Sequence, residues 1–254
     1  IFSQNGGFLG IGFAIPSKEL RRISDELLQK GRIVRGWIGV TAQNLDPTLA
    51  HLLSSPDSSG ALVSDIKENG PASKAKVLEG DILLRFDGSP TPDALSLKQV
   101  VSRASVGKKA RVEILREGKR ETLEVTVAEQ PAAPGDPLPP PTPSPSPEVQ
   151  IARAPKDLGL TLQAVPKDLK EIMLLPPHRG ILITQVHEGS LAQEAGLSTG
   201  DVLLSINREA CTTLEQAQKQ IHSALAQKTP RPLLLLVQRG PGDRLFVALP
   251  ATAG

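Results

Sequence analysis

The sequence predicts a mainly β, α+β protein: two small, partly open β-barrels, each carrying two helices. The first ground is an ungapped internal repeat. Gly39 recurs as Gly159 and Asp81 as Asp201, both at an offset of 120, and Thr41/Thr161, Gln43/Gln163, Gly60/Gly180, Glu68/Glu188, Ala72/Ala192, Ala75/Ala195 and Gly80/Gly200 fall between them in register. One module is therefore present twice, and two copies are too few for a stacked solenoid. The second ground is a run of short apolar strands punctuated by Gly and Asp turns, the pattern of a small barrel. The third is the segment from Pro131 to Pro147, which holds nine of the chain's 23 prolines and lacks the apolar content to fold.

The elements follow in order. Phe8 to Ile15 reads as a Gly-rich strand ended by Pro16, and Ser17 caps a helix with Leu20, Ile23 and Leu27 on one face and Gly31 past its end. The boundaries expected are 1–31 for this leading segment, 32–129 for the first module, 130–154 for the Pro-rich linker and 155–250 for the second module. In the first module, strands at Trp37 to Thr41, Ala61 to Ile66 and Ile82 to Phe86 accompany a short helix at Pro71 to Lys76. A longer helix near Leu95 to Ser105 then precedes a hairpin of Ala110 to Arg116 with Glu121 to Val127. The second module repeats this order: strands Leu158 to Gln163, Ile181 to Val186 and Val202 to Ile206, helices Leu191 to Ala195 and Leu214 to Leu225, and a hairpin of Leu233 to Gln238 with Leu245 to Leu249. The linker reads as an extended tether that keeps two beads apart without locking them; its run Pro139-Pro140-Pro141 alternatively matches an SH3-type ligand.

Composition removes several function classes. Five Phe, one Trp and no Tyr leave few stacking faces, and a net charge of +2 gives no basic field, so nucleic acid is not expected as a partner. The longest apolar run, Leu233 to Val237, is far too short to span a bilayer. The start at Ile1-Phe2 shows no basic-then-apolar leader, and an upstream portion is expected. Cys211 is the single cysteine and has no metal-ligand spacing around it, and His187-Glu188 stands alone, so neither a metal nor any other cofactor is expected.

The chemistry rests on two triplets, Ile38-Gly39-Val40 and Leu158-Gly159-Leu160. A glycine between apolar residues at the mouth of an edge strand lets backbone N–H groups converge into a nest for an anion, of which a peptide carboxylate is the natural occupant. The strand that follows would accept an extended peptide by β-augmentation, with the terminal side chain received by a pocket. Leu97 and Val101 in the first module, and Leu214 and Ile221 in the second, are the pocket candidates. The bland alternative is a glycine at an ordinary β-bulge, with leucines that are merely core.

Gly80-Asp81-Ile82-Leu83-Leu84-Arg85-Phe86-Asp87-Gly88 and Gly200-Asp201-Val202-Leu203-Leu204-Ser205-Ile206-Asn207, each preceded by a Gly-led apolar strand, resemble the signature strand of PDZ domains in their permuted bacterial form. Asp81 and Asp201 then read as turn residues that cap their own backbone. The stretch from Asn5-Gly6-Gly7-Phe8 to Arg35-Gly36-Trp37-Ile38-Gly39-Val40 resembles the junction between protease and first PDZ domain in HtrA (Deg) serine proteases. That resemblance implies that residues 1–31 are the end of a trypsin-like β-barrel, with Ser3 to Gly7 as specificity loop, Ile1 lining the S1 pocket and Phe8 to Ile15 as the last strand.

The same resemblance implies a periplasmic quality-control endopeptidase whose PDZ modules bind extended or carboxy-terminal apolar segments of unfolded proteins. It further implies a homotrimer or higher oligomer formed through the protease domain. The chain contains no Gly-Asn-Ser-Gly-Gly motif, and His51, His178, His187 and His222 match no triad position, so by itself it is expected to cleave nothing. The competing expectation is a non-catalytic tandem PDZ scaffold that binds carboxy-terminal peptides.

Overall fold

The computed structural model describes residues 17–30, 33–131, 152–153, 158–176, 178–225 and 232–250. The expected strand at Phe8 to Ile15 and the specificity loop lie outside them. Helix α1 (Ser17–Lys30) forms as expected and leaves Leu20, Leu27 and Leu28 exposed.

The first module runs β1 (Gly36–Trp37), β2 (Val40–Asn44), α2 (Pro47–Leu52), β3 (Ala61–Ile66), α3 (Pro71–Lys74), β4 (Ile82–Phe86), β5 (Ser89–Pro90), α4 (Ala94–Arg103), β6 (Lys109–Arg116), β7 (Lys119–Thr126) and β8 (Ala128–Glu129). Then come β9 (Ala152–Arg153) and the second module: β10 (Leu160–Ala164), α5 (Lys167–Ile172), β11 (Ile181–Val186), α6 (Leu191–Glu194), β12 (Val202–Ile206), β13 (Glu209–Ala210), α7 (Leu214–Leu225), β14 (Leu233–Gly240) and β15 (Asp243–Leu249). The first sheet is ordered β2-β3-β4-β6-β7 with β5 on β4, and the second β15-β14-β12-β11-β10-β9 with β13 on β12; β1 pairs with β8. All these pairings are antiparallel.

The repeat is visible in fine detail. The β2–β3 register slips between Thr41 and Ala42, and the β10–β11 register slips at the equivalent step, between Thr161 and Leu162. The β6–β7 hairpin turns over Glu117 and Gly118 at φ 50° and 76°, the positive pair that matches the twist of the flanking strands. Each module also has a short helix that the sequence pattern did not reveal, α2 and α5. Asp46 caps α2, its Oδ1 accepting from the Leu49 amide at 2.8 Å with Pro47 in the first turn.

Asp81 is a turn residue as expected: its Oδ2 accepts from the Leu78 amide at 2.8 Å. It is also held at both oxygens by Arg116, at 2.8 and 2.7 Å, a bidentate pair the repeat alone could not indicate. The hydrogen bonds that Arg116 donates to the Asp81 carboxylate hold its guanidinium pKa above the usual value. Asp201 receives Arg239 instead, at 3.3 Å from Nε, an arginine displaced by three positions from the repeat register.

The two modules are not beads on a tether. The central strands of each sheet, β3 in the first and β12 and β14 in the second, are buried on both faces, and successive side chains along them point to opposite faces. Leu83 and Phe86 point into the first module's own core under α4, whereas Ile82 joins Leu62 and Leu115 on the opposite face. In the second module Leu203, Leu233, Leu235 and Val237 lie in the core under α7, and Val202, Leu204, Leu234 and Leu236 face the other way. Those two opposite faces, with Leu49 of α2, Met173 after α5 and Phe246 of β15, form a single shared cluster between the sheets. The continuous apolar run Leu233 to Val237 is thereby explained: a strand dry on both faces has no polar positions to alternate.

Polar contacts lock the same junction. The Gln43 side chain donates to the Phe246 carbonyl at 3.1 Å and accepts from the Phe246 amide at 2.7 Å, and Arg244 reaches Asp65 at 2.7 Å and Glu79 at 2.9 Å. Asp65 is only 3% exposed, so without Arg244 it would be a buried charge with the single, largely exposed Lys67 at 3.4 Å for company. Arg244→Met should therefore lower stability by about 2–3 kcal/mol in a denaturant titration, whereas Lys109→Met, at the exposed Lys109–Glu124 pair, should cost under about 1 kcal/mol. Equal losses would contradict the locked junction. Burial pushes the Cys211 thiol up to about 12, so at pH 8 it stays protonated. A disulfide reagent should leave it unmodified in the native chain and titrate it after unfolding; rapid native reaction would disprove its burial.

Candidate functional site

β2 is an edge strand: β3 occupies one side, and among the described residues its other side pairs with no strand. α4 lies along this module with Leu97 and Val101 turned into the core. The spacing of strand and helix is fixed at both ends. At the far end the Asn44 side chain accepts from the Ala94 amide at 3.0 Å, and Asp93 caps α4 by accepting from the Ser96 amide at 2.6 Å. That hydrogen bond holds the Asp93 carboxyl below its ordinary value. At the near end β1 passes so close to the last turn of α4 that a Cβ on Gly36 would lie 2.3 Å from the Val101 carbonyl oxygen and 2.8 Å from that of Ala104. Only glycine fits there, a constraint the sequence pattern left unnoticed although Gly36 stands three residues before Gly39.

Gly39 sits at the mouth of β2 with φ +78°, and Gly159 at the mouth of β10 with φ +68°, a conformation other residues rarely adopt. The carbonyl groups of both triplets are engaged. Ile38 accepts from Ala72 at 2.8 Å and Gly39 from Lys67 at 2.9 Å, while Leu158 accepts from Ala192 at 3.3 Å and Gly159 from His187 at 2.9 Å. The Lys67 carbonyl, which would continue the ladder to Gly39, is taken by the Gly70 amide at 3.0 Å. Among the described residues the Ile38 and Gly39 amides donate to no backbone carbonyl. The left-handed turn has thus detached these donors from the sheet at the strand's open end.

Both glycines are nonetheless buried. A Cβ on Gly39 would meet the Trp37 ring at 3.1 Å, and one on Gly159 would meet Ser190 Cβ at 2.2 Å. Ile38, Leu158 and Leu160 are likewise buried, with Val40 half-buried. Three of the four pocket candidates are core side chains, Leu97 at 2%, Val101 at 7% and Ile221 at 1% exposure; Leu214 is half-buried at the margin of its core. The accessible apolar lining belongs to their neighbours. Val40 and Ala42 on β2, with Val100 on α4 and Ala104 at its C-cap, are half-buried and pack on the rim of the first core. In the sequence Val100 and Ala104 are spaced i, i+4, each one residue off the Leu97 and Val101 register, and that spacing is the signal that could have found them.

The second module differs at its strand edge. β10 pairs with β11 on one side and with β9 on the other, Thr161 opposite Arg153 and Leu162 opposite Ala152.

Comparison with known proteins places the chain among its relatives. Residues 36–127 match one PDZ domain model and residues 182–239 a second. The probable periplasmic serine endoprotease DegP-like of Chlamydia trachomatis is 31% identical over 248 residues, 97% of this chain and 46% of the relative. Its namesake in Pseudomonas fulva is 34% identical over 231 residues, 91% of this chain and 46% of the relative. A solved structure of the HtrA-type protease AlgW with a decapeptide aligns at 34% identity and TM-score 0.48, covering 52% of this chain and 41% of its own. The chain spans about half the length of the curated relatives it matches. Two PDZ domains in tandem and alignment over nearly the whole chain to DegP-like endoproteases make it a tandem PDZ region belonging to the HtrA (Deg) family.

Proposed function

We propose that the chain captures extended apolar segments and carboxy termini of unfolded polypeptides, as the peptide-binding part of a periplasmic HtrA-type serine endoprotease engaged in protein quality control. The observation that carries this reading is the edge of β2, which among the described residues pairs with no strand on its outer side and has Ile38 and Gly39 amides that donate to no backbone carbonyl, with a half-buried apolar lining from α4 alongside. A peptide laid antiparallel on β2 would receive main-chain hydrogen bonds irrespective of its sequence, and its carboxylate would meet the Ile38 and Gly39 amides. Val40, Ala42, Val100 and Ala104 would read the terminal side chain, with Leu97 and Val101 as the floor beneath them. Such breadth suits a protein that must recognise damage in many sequences, since segments of this kind are hidden in native folds. Proteolysis itself, and assembly into a trimer or larger particle, would belong to the longer protein of which this chain is the regulatory portion. The relatives' names supply the periplasmic location and the endopeptidase chemistry.

The burial of Gly39 shapes the test. A bulky residue there would collide with Trp37 and strain the backbone, so loss of binding could reflect a damaged module. Val100→Glu is the cleaner probe, because Val100 is half-exposed on α4 and a carboxylate there would oppose the peptide's own. Titrated with a short labelled peptide that ends in an apolar residue and a free carboxylate, Val100→Glu should bind at least about tenfold more weakly with an unchanged unfolding midpoint. Equal affinity for variant and parent would overturn the assignment of this edge.

A further inference from the structure

The two modules share a fold and a strand edge, but among the described residues only one of these two edges is open. β2 has no strand on its outer side among the described residues, whereas the outer side of β10 carries β9. β9 belongs to the segment expected to be a linker, and it lies six residues upstream of β10. Its pairing is antiparallel, the orientation a foreign peptide would take on this edge. The paired positions Thr161 and Leu162 flank the register slip whose counterpart in the first module, Thr41 to Ala42, faces an open edge.

We propose that the second module is a peptide site occupied by this chain's own linker, with Ala152 and Arg153 as the resident strand, so that only the first module is free to take a partner. This rests on the peptide-capture reading above. Chain connectivity makes the occupancy effective: a segment six residues away is presented at an effective concentration in the millimolar range, which a foreign peptide must exceed in affinity or displace. The linker end is then a competitor built into the chain. Its displacement by a tightly bound or locally abundant peptide would open the second module and release the linker together. The repeated module would thereby serve two tasks, the first as a standing receptor and the second as one that responds only above a threshold.

The test uses the whole chain and a double variant, Ala152→Pro with Arg153→Pro, because proline removes the N–H a strand needs to pair. With the short labelled peptide defined above, the parent chain should bind one equivalent and the double variant two. The added site should be lost again with Leu214→Glu, which places a charge at the half-buried margin beside α7. Apparent affinity at that second site should rise by about tenfold or more on release of the linker. Two equivalents on the parent chain, or one on both, would overturn the inference.

Hydrogen exchange provides a readout that needs no foreign peptide. Amides of Leu160–Ala164 should exchange faster in the double variant while those of β12 stay slow, and a synthetic peptide of residues 148–157 should restore their protection. Identical exchange in parent and variant would also overturn the inference. Should no form bind the labelled peptide while exchange still differs, the peptide-capture reading falls and the pairing of β9 with β10 stands.

Discussion

The layer of apolar side chains between the two sheets is the constraint on which the rest of the structure depends. Leu62, Ile82 and Leu115 on one side meet Val202, Leu204, Leu234 and Leu236 on the other. A small sheet covered by helices on one face only would leave this second apolar face wet; burying it against its own repeat removes that penalty for both copies at once. The arrangement assigns every other part its place. With the inner faces used, α4 and α7 pack on the outer faces, and β2 contributes Gln43 to the junction while its outer edge carries no strand among the described residues. The polar contacts of Arg244 and Gln43 then set the register of one sheet on the other, since a buried carboxylate such as Asp65 tolerates only the alignment that supplies its partner.

Against that background the two strand edges become the functional variable. The backbone geometry at Gly39 and Gly159 is almost the same, down to the carbonyl pairing with Lys67 and His187. The difference lies in what approaches from outside. β1 passes beneath the end of α4 through Gly36, whereas the second copy carries Lys156 at the equivalent sequence position, and β9 pairs along the edge of β10. The duplicated module thus presents two different strand edges around cores of the same plan.

Much of this was legible in the sequence. The offset of 120 exposed the duplication, and the Gly-Asp turns with their following apolar strands located β4 and β12. The glycine triplets marked the mouths of β2 and β10. What escaped has physical reasons. Apolar positions at successive residues, as in Leu233 to Val237, say that both faces are dry but not what covers the second one, so the shared layer could not be read from the pattern. Leu97 and Val101 have the right helical spacing for a pocket, yet the same spacing defines a core stripe. The rim residues Val100 and Ala104 differ from them by a single position. The Arg239 partner of Asp201 lies three residues out of repeat register, and β9 comprises two residues whose pairing depends on an edge, not on their own side chains.

The measurement that bears most directly on the shared layer is a distance distribution between spin labels on cysteines introduced at Lys108 and Glu215, both exposed and in different modules. The buried Cys211 should stay unlabelled. A single narrow distance, unchanged in moderate salt, is the result expected of two sheets packed face to face. A broad distribution typical of domains on a flexible tether would contradict the account.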